Sequence, residues 1–172
     1  MVTILLTKGW IAVRSAKGVR GTIAPWQITN AIETDPIVSL ESQRPDFQGA
    51  LVQFLIGLLQ TAFAPADQDE WFGYFDSPPA PETLRKAFAP YAHAFDLDGD
   101  KARFMQDQEP LAEQKPLPIT ALLIDTVGSE THFVKDLPTQ GLSPAMAALA
   151  LYTLQTNAPS GGVGHRTSLR GG

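Results

Sequence analysis

The last fifteen residues of the chain, APSGGVGHRTSLRGG, form the segment whose composition most directly suggests ligand binding. They include five glycines, one histidine and two arginines, and they contain no acidic residue. Glycine lets backbone amides approach a ligand closely and arginine binds phosphate oxygens, so this composition is typical of a surface that contacts an anion. A flexible linker is the simpler interpretation of a Gly/Ser tract, but Pro159, Arg166 and Arg170 are residues that a plain spacer does not need.

The segment does not match the phosphate loop of nucleotide hydrolases. That loop needs a Gly-Lys-Ser/Thr sequence that follows a strand and begins a helix. Here Gly164 is followed by His165-Arg166, and a predicted helix precedes the tract. A different enzyme that binds a phosphorylated ligand is one alternative, and a nucleotide that raises the melting temperature, with loss of the effect in Arg166→Ala, would support it.

Other residues with catalytic or metal-binding potential lack the required spacing. Residues 96–100, Asp-Leu-Asp-Gly-Asp, resemble the start of a calcium loop, but Lys101 replaces the glycine and Asp107 the glutamate that an EF-hand requires. The three histidines are far apart, and the chain contains no HExxH, GxSxG or nucleophile–base pattern. The sequence predicts no catalytic residue, no metal site and no cofactor.

Composition limits the class of protein. The 172 residues, 44% hydrophobic and 18% charged, indicate one globular domain, and the absence of cysteine excludes disulfides and thiolate zinc sites. The N-terminal segment has no basic leader typical of a signal peptide. The longest apolar run, residues 49–64, contains two glutamines and is too short to span a bilayer. We therefore expect a cytoplasmic chain with no membrane partner.

The charges are unevenly distributed along the chain. A formal net charge of −5 argues against nucleic-acid binding by the chain as a whole. However, residues 1–22 carry four basic residues and no acid, residues 66–100 carry eight acids and two bases, and after Asp136 the charged residues are Arg166 and Arg170. The chain is acidic in its middle and basic at both ends, although an ordinary scatter of surface charge explains this equally well.

Hydrophobic patterning predicts an α+β fold with a small N-terminal antiparallel sheet and several helices. Strands rich in β-branched and aromatic residues are predicted at 2–6, 10–14 and 19–23, with a further short strand at 119–124. Residues 106–119, which include three prolines, are predicted to form a loop.

Helices follow from apolar residues at helical spacing and from proline or capping residues at their starts. The Pro45–Phe63 segment is apolar nearly all round, since Val52 and Ile56 widen its stripe, and this predicts a helix at the centre of the core. The other predicted helices are Pro25 to about Ile32, Asp67 to Phe75, Pro81 to Tyr91, and Ala145 to Gln155 after Ser143-Pro144.

Two further segments place an aromatic residue beside hydrogen-bonding groups in predicted loops. They are Phe104-Met105-Gln106-Asp107 and His132-Phe133-Val134-Lys135-Asp136. By composition alone, both segments are typical of core anchors at the ends of loops.

Four segments of this chain occur in an order that carries a family resemblance. They are LLTKGWIAVRSAKGVRGTIAPWQI at 5–28, the Phe104–Asp107 segment, Leu123-Ile124-Asp125 with His132–Asp136, and Ala158-Pro159 with Ser168–Gly172. This order resembles the N-terminal part of the CasA family, the large subunit of the type I-E CRISPR surveillance complex Cascade. Family members are much longer, so the resemblance implies that residues 1–172 are a fragment: one N-terminal domain that forms the first part of a larger mixed α+β unit. In this fragment the glycine-rich loop lies at 158–172.

The resemblance implies a non-catalytic protein that reads the protospacer-adjacent motif on double-stranded target DNA, largely from the minor groove. The family's glycine loop falls on Ser160, Gly161, Gly162, Val163 and Gly164, with Ser160 and Val163 standing where the family has glycine. Backbone without bulky side chains would contact the base edges, which differ little in the minor groove. Arg166 and Arg170 would contact neighbouring phosphates.

The resemblance also implies partners within the complex. A family loop that docks beside the guide RNA and another Cascade subunit matches His132, Phe133, Val134 and Lys135. Phe133 would stack or anchor, and Lys135 would supply positive charge. DNA cleavage would belong to a separate helicase-nuclease recruited to the complex. A structural protein-interaction domain without DNA contact is the alternative from another class.

Overall fold

A computed structural model of the chain describes residues 5–100, 102–106, 115–125 and 141–157. In these residues a small antiparallel sheet is followed by helices and 3₁₀ turns, which pack around one long helix. The prediction of an α+β fold with a small N-terminal sheet is confirmed.

The sheet consists of β1 (Ile11–Ser15), β2 (Arg20–Ile23) and β3 (Ile37–Leu40), in the order β2-β1-β3. The turn between β1 and β2 includes Gly18, whose φ of 82° lies in the left-handed region that favours glycine. Ile11 and Val13 are buried while the residues between and after them are half-buried, as expected for a strand with one face on the core.

Two of the predicted strands, 10–14 and 19–23, are confirmed, and in the described residues the third strand of the sheet is β3. Of the strand predicted at 2–6, the described part, Leu5-Leu6, is not in the sheet. Leu5 and Leu6 lie in a turn and are buried, and residues 2–4 lie outside the described part of the chain. The Leu5 N–H donates to the Phe95 carbonyl (2.9 Å), and the Trp10 indole N–H donates to the Leu5 carbonyl (2.6 Å). Leu5 and Leu6 are therefore held in the core by tertiary contacts and not by hydrogen bonds to a neighbouring strand.

The predicted helix from Pro25 to Ile32 is also wrong, because only Pro25–Gln27 forms a 3₁₀ turn. The Thr29 hydroxyl donates to the Pro79 carbonyl at 2.7 Å, which ties this segment to a distant loop. Ala31 has a φ of 53°, which a right-handed helix excludes.

Four α-helices confirm the remaining helix predictions. Asp67 caps the second helix through its Oδ1, which accepts from the Glu70 N–H (2.9 Å), and Ser143 Oγ accepts from the Met146 N–H (3.3 Å) at the start of the fourth. The helices are α1 (Pro45–Ala62), α2 (Gln68–Asp76), α3 (Pro81–Phe88) and α4 (Pro144–Asn157), with a 3₁₀ turn at Ala89–Ala94 after α3.

The predicted strand at 119–124 is replaced by a 3₁₀ turn, Ile119–Leu122. The Ala121 N–H donates to the Pro118 carbonyl and the Leu123 N–H donates to the Thr120 carbonyl, both at 2.9 Å. In a β-strand these backbone N–H and C=O groups would instead bond to a neighbouring strand. Of the predicted loop at 106–119, residues 115–118 have no regular secondary structure, and residues 107–114 lie outside the described part.

Helix α1 lies at the centre of the core, as predicted. One side of it is buried against the sheet, α3 and α4, whereas Val52 and Ile56 are 40% and 50% exposed, so its apolar surface is not buried all round. The Phe54 ring has four aromatic neighbours at centroid distances of 5.7–6.0 Å, namely Trp10, Phe95, Phe104 and Tyr152. Phe104 is buried, which confirms the interpretation of its segment as a core anchor.

Candidate functional site

The two segments predicted to contact nucleic acid lie outside the described residues. They are the glycine-rich tract with its arginines (Ser160, Gly161, Gly162, Val163, Gly164, Arg166, Arg170) and the docking segment (His132, Phe133, Val134, Lys135). The last described residues before the two segments are Asp125, which precedes the 126–140 segment, and Asn157, which precedes the tract at 158–172. The contacts of Asp125 and Asn157 therefore show what holds the chain up to the start of each undescribed stretch.

Arg44 holds the residue that precedes the 126–140 segment. Its guanidinium Nη2 lies 2.8 Å from Asp125 Oδ1, and its Nε donates to Asp46 Oδ1 at 3.0 Å. The guanidinium carbon also lies 5.3 Å from the centre of the Phe47 ring, within the range of a cation–π interaction. Arg44 directly precedes Pro45, the first residue of α1. Its guanidinium therefore contacts both the first turn of α1, through Asp46 and Phe47, and Asp125.

The two carboxylates act on the guanidinium in the same direction. The hydrogen bond that Arg44 donates to Asp46 is the main cause that raises the pKa of Arg44 above its ordinary value, while burial acts against it and Asp125 adds to the rise. Arg44 is therefore held in its charged form, and Asp125 is held near α1. The sequence analysis missed Arg44; the signal was a basic residue directly before the proline that begins the longest helix.

Helix α4 carries the chain to the glycine-rich tract. Ala148, Leu149 and Ala150 are buried, and α4 packs along α1, so the helix that ends at Asn157 is part of the core. Two buried hydroxyls on the same helix donate within it, Thr153 to the Leu149 carbonyl (2.7 Å) and Thr156 to the Tyr152 carbonyl (2.8 Å). Such bonds satisfy polar groups that would otherwise be buried without partners.

The basic N-terminal end is partly neutralised by an acid that the sequence analysis did not single out. Arg14 Nε and Arg20 Nε lie 3.0 Å from the two carboxylate oxygens of Glu41. The arginines face each other across β1 and β2, and Glu41 follows β3. The sheet therefore does not present these arginines as an unpaired cationic surface.

The described residues contain no group of three or more His, Cys, Asp or Glu side chains placed to hold a metal ion. Around Asp96 the chain forms a turn, in which the Asp98 N–H donates to Asp96 Oδ1 (3.2 Å) and Arg103 Nε donates to the Gly99 carbonyl (2.6 Å). None of the described helices is long and apolar enough to cross a bilayer.

One protein-family model matches a range that includes every residue described by the structure. The model of the family described as CRISPR-associated protein Cse1 matches residues 5–172. The chain belongs to the Cse1 family. This confirms the family resemblance seen in the sequence, since one of the similar solved structures carries both names, CasA and Cse1.

Solved Cse1 structures share the fold of this Cse1-family chain. Thermus thermophilus CasA (Cse1) is 22% identical, with a TM-score of 0.70 over 91% of this chain and 31% of that chain. Thermobifida fusca Cse1 is 21% identical, with a TM-score of 0.73 over 93% of this chain and 31% of that chain.

A chain of a structure titled CRISPR RNA-guided surveillance complex is 19% identical, with a TM-score of 0.68 over 93% of this chain and 35% of that chain. No curated protein sequence matches. The Cse1-family chain thus spans about a third of the length of the solved chains that it resembles.

Proposed function

We propose that this chain is a non-catalytic part of the large subunit of an RNA-guided CRISPR surveillance complex, acting in the cytoplasm in recognition of double-stranded target DNA. The observation that carries the proposal is the Cse1 family match over residues 5–172, because it includes both segments predicted to contact nucleic acid. The similar fold in a chain of a surveillance complex supports the same assignment.

In this proposal the glycine-rich tract reads the protospacer-adjacent motif. Residues 160–164 (Ser-Gly-Gly-Val-Gly) offer backbone amides and carbonyls with little side-chain bulk, which suits close contact with minor-groove base edges. Arg166 and Arg170 contact phosphates and fix the register on the duplex. Because α4 is packed on α1, it gives this tract a fixed starting point at Asn157.

The docking segment at His132–Lys135 binds the guide-RNA complex in the same proposal. The Arg44–Asp125 ion pair supports this role, since it holds Asp125, the residue before the 126–140 segment, near the first turn of α1. Base pairing with the guide RNA would then read the remaining target sequence, and a recruited helicase-nuclease would cleave the DNA.

The test is Gly162→Asp in a surveillance complex reconstituted with this chain. A carboxylate next to the DNA should weaken binding to a duplex that carries the motif by at least about tenfold, by charge repulsion and bulk, while assembly stays intact. Gly141→Asp is the matched control, because a Cβ at Gly141 would meet nothing within 4 Å. Duplex binding is measured by gel shift and assembly by size-exclusion chromatography. Unchanged duplex binding in Gly162→Asp would contradict the DNA role.

A second candidate is a structural interaction domain without DNA contact. An exposed apolar groove bordered by acidic residues, between α1 and α2, favours this function. Under this candidate, Gly162→Asp leaves both duplex binding and assembly unchanged, so the same experiment separates the two functions.

A further inference from the structure

A groove of about 450 Å³ opens between the C-terminal half of α1, helix α2 and the loop before α3. Two tertiary contacts join residues of its lining: the Phe63 and Tyr74 rings lie 4.8 Å apart, and the Thr29 hydroxyl donates to the Pro79 carbonyl. We call this feature the α1–α2 groove. Its lining is mainly apolar and includes Ile28, Ile56, Leu59, Phe63, Trp71 and Phe75.

Large apolar side chains on the groove are exposed to solvent. Trp71 is 51% exposed, Phe75 is 71% exposed and Ile56 is 50% exposed, and α2 contains no buried residue. The Trp71 and Phe75 rings stack at a centroid distance of 5.8 Å and an angle of 14°, so the two rings form one continuous aromatic surface. Contiguous exposed aromatic surface of this kind is typical of an interaction site.

Both hydroxyl groups that line the groove, those of Tyr74 and Thr29, are already engaged within the chain. Tyr74 donates its hydroxyl proton to the Glu70 carboxylate, and the Thr29 hydroxyl donates to Pro79. A site for a polar small molecule would instead place several free polar groups towards the ligand. The lining therefore favours apolar side chains as the occupant.

The charge around α2 is uniformly negative. Residues 64–80 contain no lysine or arginine and include Asp67, Asp69, Glu70 and Asp76, all of them exposed. The pKa of Glu70 is lowered, mainly by the hydrogen bond from the Ala66 N–H, which keeps this carboxylate ionised. Nucleic acid and anionic lipid would be repelled from this surface, and a two-fold dimer through it would bring two acidic patches together.

We propose that the α1–α2 groove binds a segment of a separate protein partner, in which apolar side chains are flanked by lysines or arginines. The apolar side chains enter between Ile56, Trp71 and Phe75, and the basic side chains pair with Asp67 and Glu70, which stand four positions before Trp71 and Tyr74 on the same face of α2. This inference does not depend on the proposed DNA contact, because it rests on residues 28–84 alone.

The test uses the whole chain and a labelled helical peptide with leucines at i, i+3, i+4 and i+7 and lysines on either side. A second peptide keeps the leucines and replaces every lysine with glutamate. We expect the basic peptide to bind at least about tenfold more tightly than the acidic one in fluorescence anisotropy. Phe75→Ser should weaken basic-peptide binding by about tenfold or more, since aromatic anchors dominate such interfaces.

Phe72→Ser is the matched control, because Phe72 is on the same helix and 48% exposed but does not line the groove. It should change peptide binding by less than about twofold, as expected of residues outside an energetic centre. If Phe75→Ser loses helical circular dichroism, Ile56→Ser on α1 provides the same test. Equal binding of both peptides, or equal loss in Phe72→Ser and the groove variants, overturns the proposal.

Two other occupants give distinct results. Binding to phosphatidylcholine–phosphatidylserine vesicles without binding of the basic peptide would identify a lipid surface instead. Self-association in sedimentation equilibrium that Phe75→Ser abolishes, again without peptide binding, would identify a second copy of the chain. Either result overturns the assignment of a basic, apolar protein segment.

Discussion

Arg44 joins the first turn of α1 to Asp125, with Nη2 of the arginine 2.8 Å from Oδ1 of the aspartate. The pair is 81 positions apart in sequence, so it forms only when the chain is folded. Both side chains are partly exposed, at 22% and 41%, which limits the strength of the ion pair through solvent screening. Its importance is positional, since Asp125 is the last described residue before the 126–140 segment, which includes the proposed docking residues His132–Lys135.

We predict that Arg44→Met lowers the free energy of unfolding by about 1–2 kcal/mol, because it removes two carboxylate contacts and the cation–π contact with Phe47. Urea denaturation measures the change. Asp125→Asn should account for up to about 1 kcal/mol of coupling in a double-mutant cycle with Arg44→Met. Arg85→Met is the control, since Arg85 pairs with Glu82 and both side chains are more than half exposed, so this variant should show no measurable loss. Equal losses in Arg44→Met and Arg85→Met would contradict the role of Arg44.

Leu58 provides a test of the core around α1. It is 5% exposed and belongs to the buried face of the helix, so Leu58→Ala should destabilise the chain by about 2–5 kcal/mol through lost burial and a residual cavity. Val52→Ala, on the exposed side of the same helix, should change stability by about 0.5 kcal/mol or less. Thermal and urea unfolding measure both variants, and similar losses would mean that the buried face has been assigned to the wrong side.

Glu70 makes the stability of α2 depend on pH. The Ala66 N–H and, to a smaller extent, the Tyr74 hydroxyl lower the pKa of Glu70 in the folded chain. Its contribution to α2 is therefore present above the unfolded pKa and is lost as pH falls through the lower folded value. Tyr74→Phe should move the titration midpoint part of the way back towards the ordinary value of a glutamate, measured by NMR of the side-chain carboxyl carbon. A midpoint unchanged by Tyr74→Phe would show that the tyrosine hydroxyl has no effect.

Arg166 and Arg170 test phosphate contact separately from base reading. In the reconstituted complex, Arg166→Ala should weaken duplex binding about equally with and without the recognition motif and reduce the salt-dependence slope by about one. Arg170→Ala should behave in the same way. Lys17→Ala is the control, because Lys17 lies in the turn of the β1–β2 hairpin. A loss confined to motif-bearing duplex would assign these arginines to bases.

Sequence reasoning succeeded where the signals are local. Helix α1 begins at a proline and repeats its apolar residues with helical spacing, and Asp67 and Ser143 cap the helices that follow them. It failed where a distant partner decides the structure. Strand β3 exists because Val13 and Arg14 of β1 offer backbone groups to Leu40 and Ser39, and nothing within 37–40 reveals that pairing.

The functional residues also divide into those that the sequence predicted from local patterns and those that only the folded structure shows. The proposed nucleic-acid segments were found from residue types and family resemblance, and their functional roles stay predictions. The Arg44–Asp125 pair and the α1–α2 groove were not found, because each brings together residues from separate elements. Residue type does not distinguish exposed aromatic residues such as Trp71 and Phe75 from buried ones, so their exposure is known only from the folded structure.

The hydrogen bond from Leu5 to Phe95 also has a consequence for synthesis on the ribosome. The β1–β2 hairpin needs only neighbours in sequence, so it can form soon after it leaves the exit tunnel. Leu5 and Leu6 reach their native surroundings only after residue 95 has emerged, because their partner is made 90 positions later. Throughout that interval the nascent chain keeps two leucines in contact with water, and this is the stage at which we expect chaperones to bind it.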